Sequence, residues 1–208
     1  MPERQEHWNE VYGARDEDAL TWFEQTPSSS IELIKGSVKP GDPVVDVGAG
    51  SSRLVDMLLD EGLGPVTVLD ISGKALETSK KRLGTKADRV EWIVADITNW
   101  QPTRTFALWH DRAVFHFLTS PEDRAAYIDA MHQALRPGGT AIIATFAEDG
   151  PEKCSGLPVA RYSPESLAQT LEDILPGGFV AVGSRRHVHV TPKGNRQAFQ
   201  ISVFRKTV

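Results

Sequence analysis

Three acidic residues and two glycines stand where a ligand site can form in this 208-residue chain. Asp46, Asp70 and Asp96 each lie at or just after the end of a short apolar run, and Gly48 and Gly50 follow the first of them. Glycines at such a turn let a ligand approach bare backbone, and a carboxylate accepts hydrogen bonds from hydroxyl or amino groups. The set predicts a nucleoside site, with Asp70 on the ribose hydroxyls and Asp96 on the adenine amino group.

The glycine-rich segment departs from the dinucleotide-binding fingerprint at one position. That fingerprint has a third glycine three residues after the second, which allows close packing of helix on strand, and here the position is Arg53. A sulfonium nucleoside has no pyrophosphate and does not need that glycine. The sequence therefore favours a sulfonium nucleoside, while an NAD-binding oxidoreductase and a non-catalytic nucleoside-binding module are the alternatives.

A second polar cluster, His110, Asp111 and Arg112, ends the fourth apolar run, and His116 lies about one helical turn beyond Arg112. These groups could remove a proton from an acceptor or bind its charge. We predict His110, Asp111 and His116 as candidate catalytic residues. The alternatives are an ion pair of Asp111 with Arg112 and a packed or capping role for His116.

Aromatic residues and a second arginine are candidate acceptor contacts. Trp8, Tyr12 and Trp22 precede the first strand, and aromatic faces attract a sulfonium; the alternative is an apolar core for an N-terminal helix pair. The loop 147–162 has the length and place of an acceptor lid. The predicted acceptor contacts are Trp8, Tyr12, Arg112, Phe115, His116 and Arg161.

The cysteine and histidine residues predict neither a disulfide nor a metal site. Cys154 is the only cysteine, which excludes an internal disulfide and a tetrathiolate zinc site. His187 and His189 share one face of a predicted strand and form a candidate metal pair. No third ligand is evident in the sequence, so we predict a solvent-facing strand edge and no metal.

The elements that must position these residues alternate along the chain. The predicted strands are Pro43–Val47, Val66–Asp70, Val90–Ala95, Phe106–His110 and Thr140–Phe146. Amphipathic helices are predicted over Ser52–Glu61 and Ser72–Leu83 and after Ser120 and Ser163. Two alternating segments near the end predict an antiparallel hairpin. The pattern indicates an α/β fold with a mostly parallel sheet and helices on both faces, and ligands bind at the carboxyl ends of such strands.

Length and charge exclude several classes of protein. The length predicts a single domain, 1–208, with residues 1–36 as a helical lid segment. A net charge of −5 argues against nucleic acid as a partner. No run of 18 apolar residues predicts a membrane span, and the first residues lack the apolar region of a signal peptide. We expect a cytoplasmic protein, monomeric or homodimeric.

Several segments resemble the successive motifs of the class I, Rossmann-like S-adenosylmethionine-dependent methyltransferases. They are Val44–Gly50, Val66–Ser72, Val90–Thr98 and Leu135–Phe146, and the resemblance covers most of the chain from about residue 30. It implies a seven-stranded sheet with the last strand antiparallel, S-adenosylmethionine as methyl donor and S-adenosylhomocysteine as product. The implied cofactor residues are Asp46, Gly48, Ala49, Gly50, Arg53, Asp70, Ile71, Asp96, Ile97, Asp111 and Trp22.

Several further segments resemble particular branches of this family. His7–Tyr12, Thr21–Phe23 and Gly48–Leu54 resemble the branch that contains seven-β-strand protein-lysine methyltransferases, in which an aromatic N-terminal segment closes over the cofactor. That branch usually has an acid-Lys-Gly-Thr motif where this chain has Asp111–Val114, and Trp109–Arg112 also resembles small-molecule thiol methyltransferases. We therefore predict a small-molecule acceptor with a thiol, amine or oxygen nucleophile, and a protein lysine as the alternative.

Overall fold

Strands and helices alternate along the chain in the computed structural model, which describes residues 2–207, with the side chains of residues 3–207. The elements are α1 Pro2–Gly13, a 3₁₀ turn Glu17–Ala19, α2 Ser28–Lys35, β1 Val44–Val47, α3 Leu54–Asp60, β2 Val66–Asp70, α4 Gly73–Leu83, a 3₁₀ segment Gly84–Arg89, β3 Val90–Val94, β4 Phe106–Arg112, a 3₁₀ turn Phe115–Phe117, α5 Pro121–Ala134, β5 Leu135–Phe146, β6 Lys153–Cys154, β7 Leu157–Pro158, α6 Pro164–Ile174, β8 Phe179–Val190 and β9 Arg196–Lys206.

Seven of the strands form one sheet in the order β3-β2-β1-β4-β5-β9-β8. The first five run parallel to their neighbours, and β9 is antiparallel to both β5 and β8. The strand order reverses between β1 and β4, and a crevice for ligands opens at such a point. The predicted fold class, including the C-terminal antiparallel hairpin, is confirmed.

Each face of the sheet carries its own apolar core, as strands covered by helices on both sides require. Helices α2, α3 and α4 pack on one face, around residues such as Ile34, Leu58 and Leu76. Helices α5 and α6 pack on the other face, where Tyr127 and Leu167 are fully buried. Within residues 2–207, no helix has the length and apolar character that crossing a bilayer demands.

Local sequence signals fix the ends of several helices. The Ser72 side chain accepts a hydrogen bond from the Ala75 backbone N–H and caps α4, which ends at Gly84 with a φ of 57°. Ser120 caps α5 in the same way, and Ser163 forms a capping box with Ser166 on α6. Such caps satisfy N–H groups that the first helical turn leaves free.

Two strand boundaries differ from the prediction by more than one residue, and one of them affects the site. Strand β4 continues past His110 to Arg112, because Arg112 still pairs with Ala144 of β5. Strand β5 begins at Leu135 rather than Thr140, because Leu135 pairs with Phe106 before an irregularity in the register. Asp111 and Arg112 are therefore strand residues whose side chains point to opposite faces of the sheet.

Candidate cofactor and acceptor site

A cavity of about 320 Å³ opens at the carboxyl ends of β1, β2 and β4. This volume lies in the range of small-molecule sites. Residues at and after the ends of β1, β2 and β3 form the floor: Val47, Gly48, Leu69, Asp70, Ile71, Ala95, Asp96 and Ile97. The N-terminal segment contributes Arg4, Trp8, Tyr12 and Trp22. The remaining lining residues come from the end of β4 and the segment after it, from the β6–β7 region and from β9: Arg112, Ala113, Val114, Phe117, Leu118, Thr119, Cys154, Leu157, Pro158 and Phe199. The wall is mainly apolar, with charged groups at separate positions.

Asp70 is buried at the end of β2, and its carboxylate is held by backbone N–H groups. Oδ1 accepts from Ser72 N at 2.7 Å, and Oδ2 accepts from Gly50 N at 2.8 Å. Burial raises the pKa of Asp70 to about 6, although these two hydrogen bonds act in the opposite direction. Each oxygen keeps further acceptor capacity, so a fixed carboxylate faces the cavity, as pairing with two neighbouring hydroxyls requires.

Asp96 supplies an unused acceptor to the same cavity. Its Oδ1 accepts from Thr98 N at 3.0 Å and from Thr98 Oγ1 at 2.8 Å. Its Oδ2 is buried and has no hydrogen-bond partner among the described residues, while Arg4 Nη1 lies 3.8 Å away. Buried acceptors are rarely left unpaired, so an N–H donor from a ligand fits this position. Ile97, only 6% exposed, lies next to it.

Two glycines bring other groups against the backbone after β1. Gly48 has a φ of +63°, and a Cβ on it would lie 1.9 Å from Val114 Cγ2. Gly50 has a φ of +55°, and a Cβ there would lie 2.1 Å from the Tyr12 hydroxyl oxygen. Only glycine meets both the backbone and the space requirement at these positions, so the close approach of Tyr12 to this turn depends on Gly50.

Comparison with known proteins gives the family. Residues 44–139, which contain this edge of the sheet, match the model of a methyltransferase domain. The chain is also 30% identical over 182 residues to thiocyanate methyltransferase 1 of Arabidopsis thaliana, a match that covers 85% of this chain and 76% of the plant protein. The chain belongs to the class I S-adenosylmethionine-dependent methyltransferases. Its cofactor is therefore S-adenosylmethionine, and the free Asp96 acceptor and the Asp70 carboxylate fit the adenosine part of that molecule.

Two further relatives differ in what they methylate. The chain is 23% identical over 150 residues to mouse eEF1A lysine and N-terminal methyltransferase, covering 69% of this chain but only 21% of the mouse protein. A solved structure of a Burkholderia thailandensis 1,6-didemethyltoxoflavin-N1-methyltransferase shares the fold, with a TM-score of 0.69, 23% identity and coverage of 100% of this chain and 85% of that one. The proteins similar to this chain thus include one named for a protein acceptor and one named for a small-molecule acceptor.

The N-terminal segment of this methyltransferase covers one side of the cavity. Gln5 donates to the Ile71 carbonyl at 3.0 Å, and Asn9 accepts from the Ser72 hydroxyl at 2.8 Å, which fixes α1 beside the end of β2. The Trp8 ring meets Trp22 edge to face, with ring centroids 6.0 Å apart. The predicted aromatic contacts Trp8, Tyr12 and Trp22 all line the cavity.

Arg112 is held in the opposite wall by one hydrogen bond and one ion pair to the N-terminal segment. Its Nη1 donates to the Trp22 carbonyl at 3.1 Å, and its Nη2 lies 3.0 Å from Glu24 Oε1. Burial favours the neutral form of Glu24, but His189 and Arg112 outweigh it and hold the pKa of Glu24 at about 2. The guanidinium is therefore oriented by a carboxylate while part of it faces the cavity.

The three predicted catalytic residues do not reach the cavity. His110 is 2% exposed and lies between Asp46 Oδ1, 2.7 Å from Nδ1, and Ser30 Oγ, 2.9 Å from Nε2. His116 is fully buried and accepts from Phe146 N at 3.4 Å; burial, with Arg112 adding to it, lowers the pKa of His116 to about 3. Neither histidine can touch an acceptor in this structure, because both are enclosed by protein.

Asp111 is also enclosed, on the other face of β4. Its carboxylate accepts from Val114 N at 2.7 Å, Phe115 N at 3.0 Å and the Tyr127 hydroxyl at 2.6 Å. Burial raises the pKa of Asp111 to about 6 against the effect of these bonds. These contacts hold the turn after β4, and the alternative of an ion pair with Arg112 is wrong because Arg112 pairs with Glu24.

Other predicted site residues also lie outside the cavity lining. Phe115 is fully buried against Tyr127, with ring centroids 4.9 Å apart. Arg161 donates to the Gly150 carbonyl at 3.2 Å, and Arg53 Nε donates to Glu17 at 3.0 Å. Each of these side chains has a partner that holds it away from the cavity. Asp46, Ala49 and Gly50 do not line the cavity: Asp46 contacts His110, and Ala49 and Gly50 belong to the turn after β1.

Several cavity residues were not identified from the sequence as site residues. Phe117, Leu157 and Phe199 form apolar wall, and Cys154 belongs to the small β6–β7 hairpin in the loop 147–162. Burial raises the pKa of the Cys154 thiol to about 11, so it stays protonated. For Cys154 and Leu157 the sequence signal was the position of this loop at the carboxyl edge. Phe117 and Phe199 lie outside the loop and had no such signal.

Proposed function

We propose that this methyltransferase methylates a small, soft nucleophile that arrives already deprotonated, such as a thiolate or another sulfur anion. The observation that carries the proposal is the lack of a base in the acceptor half of the cavity. Among the described lining residues there is no histidine or lysine, and both lining carboxylates, Asp70 and Asp96, belong to the adenosine half. A base is needed only when the acceptor must lose a proton.

The remaining ionisable groups of the wall support an anionic acceptor. Arg112 brings a fixed positive charge to this side, whereas Arg4 pairs with Asp123. Burial raises the pKa of Tyr12 well above its usual value and that of Cys154 to about 11, so neither group is an anion at neutral pH. A soft anion close to Arg112 and apolar walls therefore meets attraction, and the nearby Glu24 carboxylate is not among the described lining residues.

The aromatic wall supports a small acceptor held away from water. Trp8 contacts Phe117 edge to face, with ring centroids 5.1 Å apart, and Tyr12 contacts Trp22 at 5.7 Å. S-adenosylmethionine, when bound, supplies a methyl group on a positively charged sulfur, to which aromatic faces are attracted. The chain's own contribution is to orient the acceptor and exclude water, and the lid role of residues 1–36 belongs to this proposal.

Similarity to the thiocyanate enzyme agrees with this acceptor class, because thiocyanate is a small sulfur-containing anion. The protein-lysine alternative rests on similarity to the eEF1A enzyme, of which the chain covers 21%. An uncharged lysine amine would gain nothing from the guanidinium of Arg112, and its protonated form would be repelled. We therefore favour the small sulfur anion over the lysine side chain.

A direct assay compares acceptors under identical conditions. Protein and labelled S-adenosylmethionine are incubated with sulfide, thiocyanate, aromatic thiols, phenols, amines and a lysine-rich protein, and methylated products are measured by mass spectrometry. We expect the sulfur anions to be methylated fastest. Arg112→Gln should lower kcat/KM for them by about tenfold or more, the effect of losing a charged partner.

The matched control is Arg186→Gln, because Arg186 is exposed and pairs with the exposed Asp149. We expect this variant to retain the wild-type kcat/KM. Methyl label found only on protein bands, or an Arg112→Gln variant as active on sulfur anions as the wild type, would contradict the proposed acceptor class.

A further inference from the structure

Three side chains from distant parts of the chain converge on one point beside the β8–β9 hairpin. Glu24 comes from the N-terminal segment, and His187 and His189 come from one face of β8. Glu24 Oε1 lies 3.3 Å from His187 Nε2 and 3.2 Å from His189 Nδ1, and no two of the three atoms are more than 4.8 Å apart. His189 is only 2% exposed.

In each histidine, one ring nitrogen faces Glu24 and the other contacts a different group. The second contact determines whether the nitrogen facing Glu24 carries a proton or a lone pair. His189 Nε2 lies 2.8 Å from the Thr21 carbonyl oxygen. A carbonyl oxygen only accepts hydrogen bonds, so Nε2 carries the proton, and in the neutral ring Nδ1 is then a lone pair directed at a carboxylate oxygen. His187 Nδ1 has a comparable outer partner, the Ser29 hydroxyl at 3.0 Å. Metal-binding histidines typically have such an outer hydrogen bond, which fixes the ring and its tautomer.

Three nitrogens lie close to Glu24 Oε1, and one of them, Arg112 Nη2, is buried without a hydrogen-bond partner among the described residues. Besides the two imidazoles, Arg112 Nη2 lies 3.0 Å from Glu24 Oε1. One carboxylate oxygen has two lone pairs. A cation shared by the two histidines and Glu24 would use one of them and leave the other for Arg112.

We propose that Glu24, His187 and His189 form a zinc site with a fourth coordination position for water. Tetrahedral zinc has bonds of about 2.0–2.2 Å to nitrogen and oxygen, so neighbouring ligand atoms lie about 3.3 Å apart. The separations of Glu24 Oε1 from the two histidine nitrogens, 3.3 Å and 3.2 Å, match this spacing. Two imidazoles with one carboxylate suit Zn²⁺ better than Mg²⁺ or Ca²⁺, which prefer oxygen ligands only. This site replaces the prediction of no metal, because Glu24 is the third ligand that the sequence did not reveal.

The zinc site would connect the N-terminal segment, which covers the cavity, to the β8–β9 hairpin. Zn²⁺ would join the segment that carries Trp22 to strand β8, and the same carboxylate also positions Arg112. The guanidinium charge close to Glu24 opposes the ion, so we expect a dissociation constant on the order of 1 μM rather than the far lower values of all-thiolate sites. Binding should raise the thermal midpoint, because a ligand that binds only the folded state stabilises it.

Calorimetric titration of chelator-treated protein with zinc chloride tests the site, and thermal unfolding gives a second measurement that is independent of activity. We expect one Zn²⁺ per chain and a higher Tm with zinc. Glu24→Gln and His189→Ala should each weaken binding at least tenfold, whereas His132→Gln, on α5, should bind as the wild type does. Circular dichroism of the metal-free variants shows whether they are folded.

Two outcomes would overturn the zinc site. One is a folded wild-type protein that takes up no zinc at 100-fold above the expected dissociation constant, roughly 100 μM; protons on the histidines would then account for the contacts. The other is zinc binding that persists unchanged in folded Glu24→Gln and His189→Ala, which would place the ion elsewhere on the chain.

Discussion

Replacing Asp70 with alanine is expected to weaken binding of S-adenosylhomocysteine by roughly 1.5–3 kcal/mol, or about 10- to 150-fold in Kd, the range for hydrogen bonds to a charged group. The carboxylate is already held by Gly50 N and Ser72 N and presents its remaining acceptor capacity to the cavity. Isothermal titration calorimetry measures the change. Asp129→Ala, on the exposed face of α5, is the matched control and should leave Kd unchanged.

The pH dependence of the same titration separates the charge of Asp70 from its shape. The pKa of Asp70 is about 6, and donors from a ribose bind the ionised form better than the protonated one. Affinity should therefore be constant above about pH 7 and decrease as the pH falls through 6. Asp70→Asn should bind weakly with no such pH dependence. Wild-type affinity that stays constant from pH 5 to 8 would contradict the assignment of Asp70 to the ribose.

Replacing Asp111 with alanine is expected to lower the free energy of unfolding by roughly 3–5 kcal/mol, since each buried donor left without a partner costs about 1–3 kcal/mol and some relaxation follows. Three donors lose their acceptor: Val114 N, Phe115 N and the Tyr127 hydroxyl. Urea denaturation followed by circular dichroism measures the loss. The turn that carries Val114 against Gly48 should loosen with it.

Asp149→Ala is the control for stability, because Asp149 is exposed and its partner Arg186 is exposed too. Its effect should stay within about 0.5 kcal/mol. The informative comparison is between stability and turnover. An Asp111→Ala protein with wild-type stability and a greatly reduced kcat would restore the catalytic role that the sequence suggested and contradict the structural one.

The fold was predictable to a large extent because its signals are local. The β2 boundaries, Val66–Asp70, follow from one apolar run, and the Ser72 and Ser120 caps mark the helix starts. The ends of β4 and β5 were not predictable, because pairing of Arg112 with Ala144 and of Leu135 with Phe106 depends on the neighbouring strand. The sequence of one strand does not show where the neighbouring strand stops pairing with it.

The adenosine half of the site could also be predicted, whereas the acceptor half could not. Asp70 and Asp96 stand at strand ends, and that position alone brings them to one edge of the sheet. Along β4 the same reasoning fails, because position at the edge does not tell which face a side chain takes. His110 points to Asp46 and Ser30, Asp111 points to Tyr127, and only Arg112 lines the cavity.

The candidate zinc ligands show the same limit. Their sequence spacing identified His187 and His189 as neighbours on one face of a strand, but Glu24 lies 163 and 165 residues away along the chain. It reaches them because the N-terminal segment packs against β8, where Ser29 and Thr21 also contact the two histidines, an arrangement of tertiary structure that no local pattern encodes.

A crystal structure of the protein soaked with S-adenosylhomocysteine tests the central claim most directly. We expect the ribose hydroxyls within hydrogen-bond distance of Asp70 and the adenine amino group on Asp96 Oδ2. The sulfur should face a small enclosed space walled by Trp8, Trp22, Arg112 and Cys154. A nucleoside bound away from these carboxylates, or a sulfur that faces an open surface groove instead, would contradict the account.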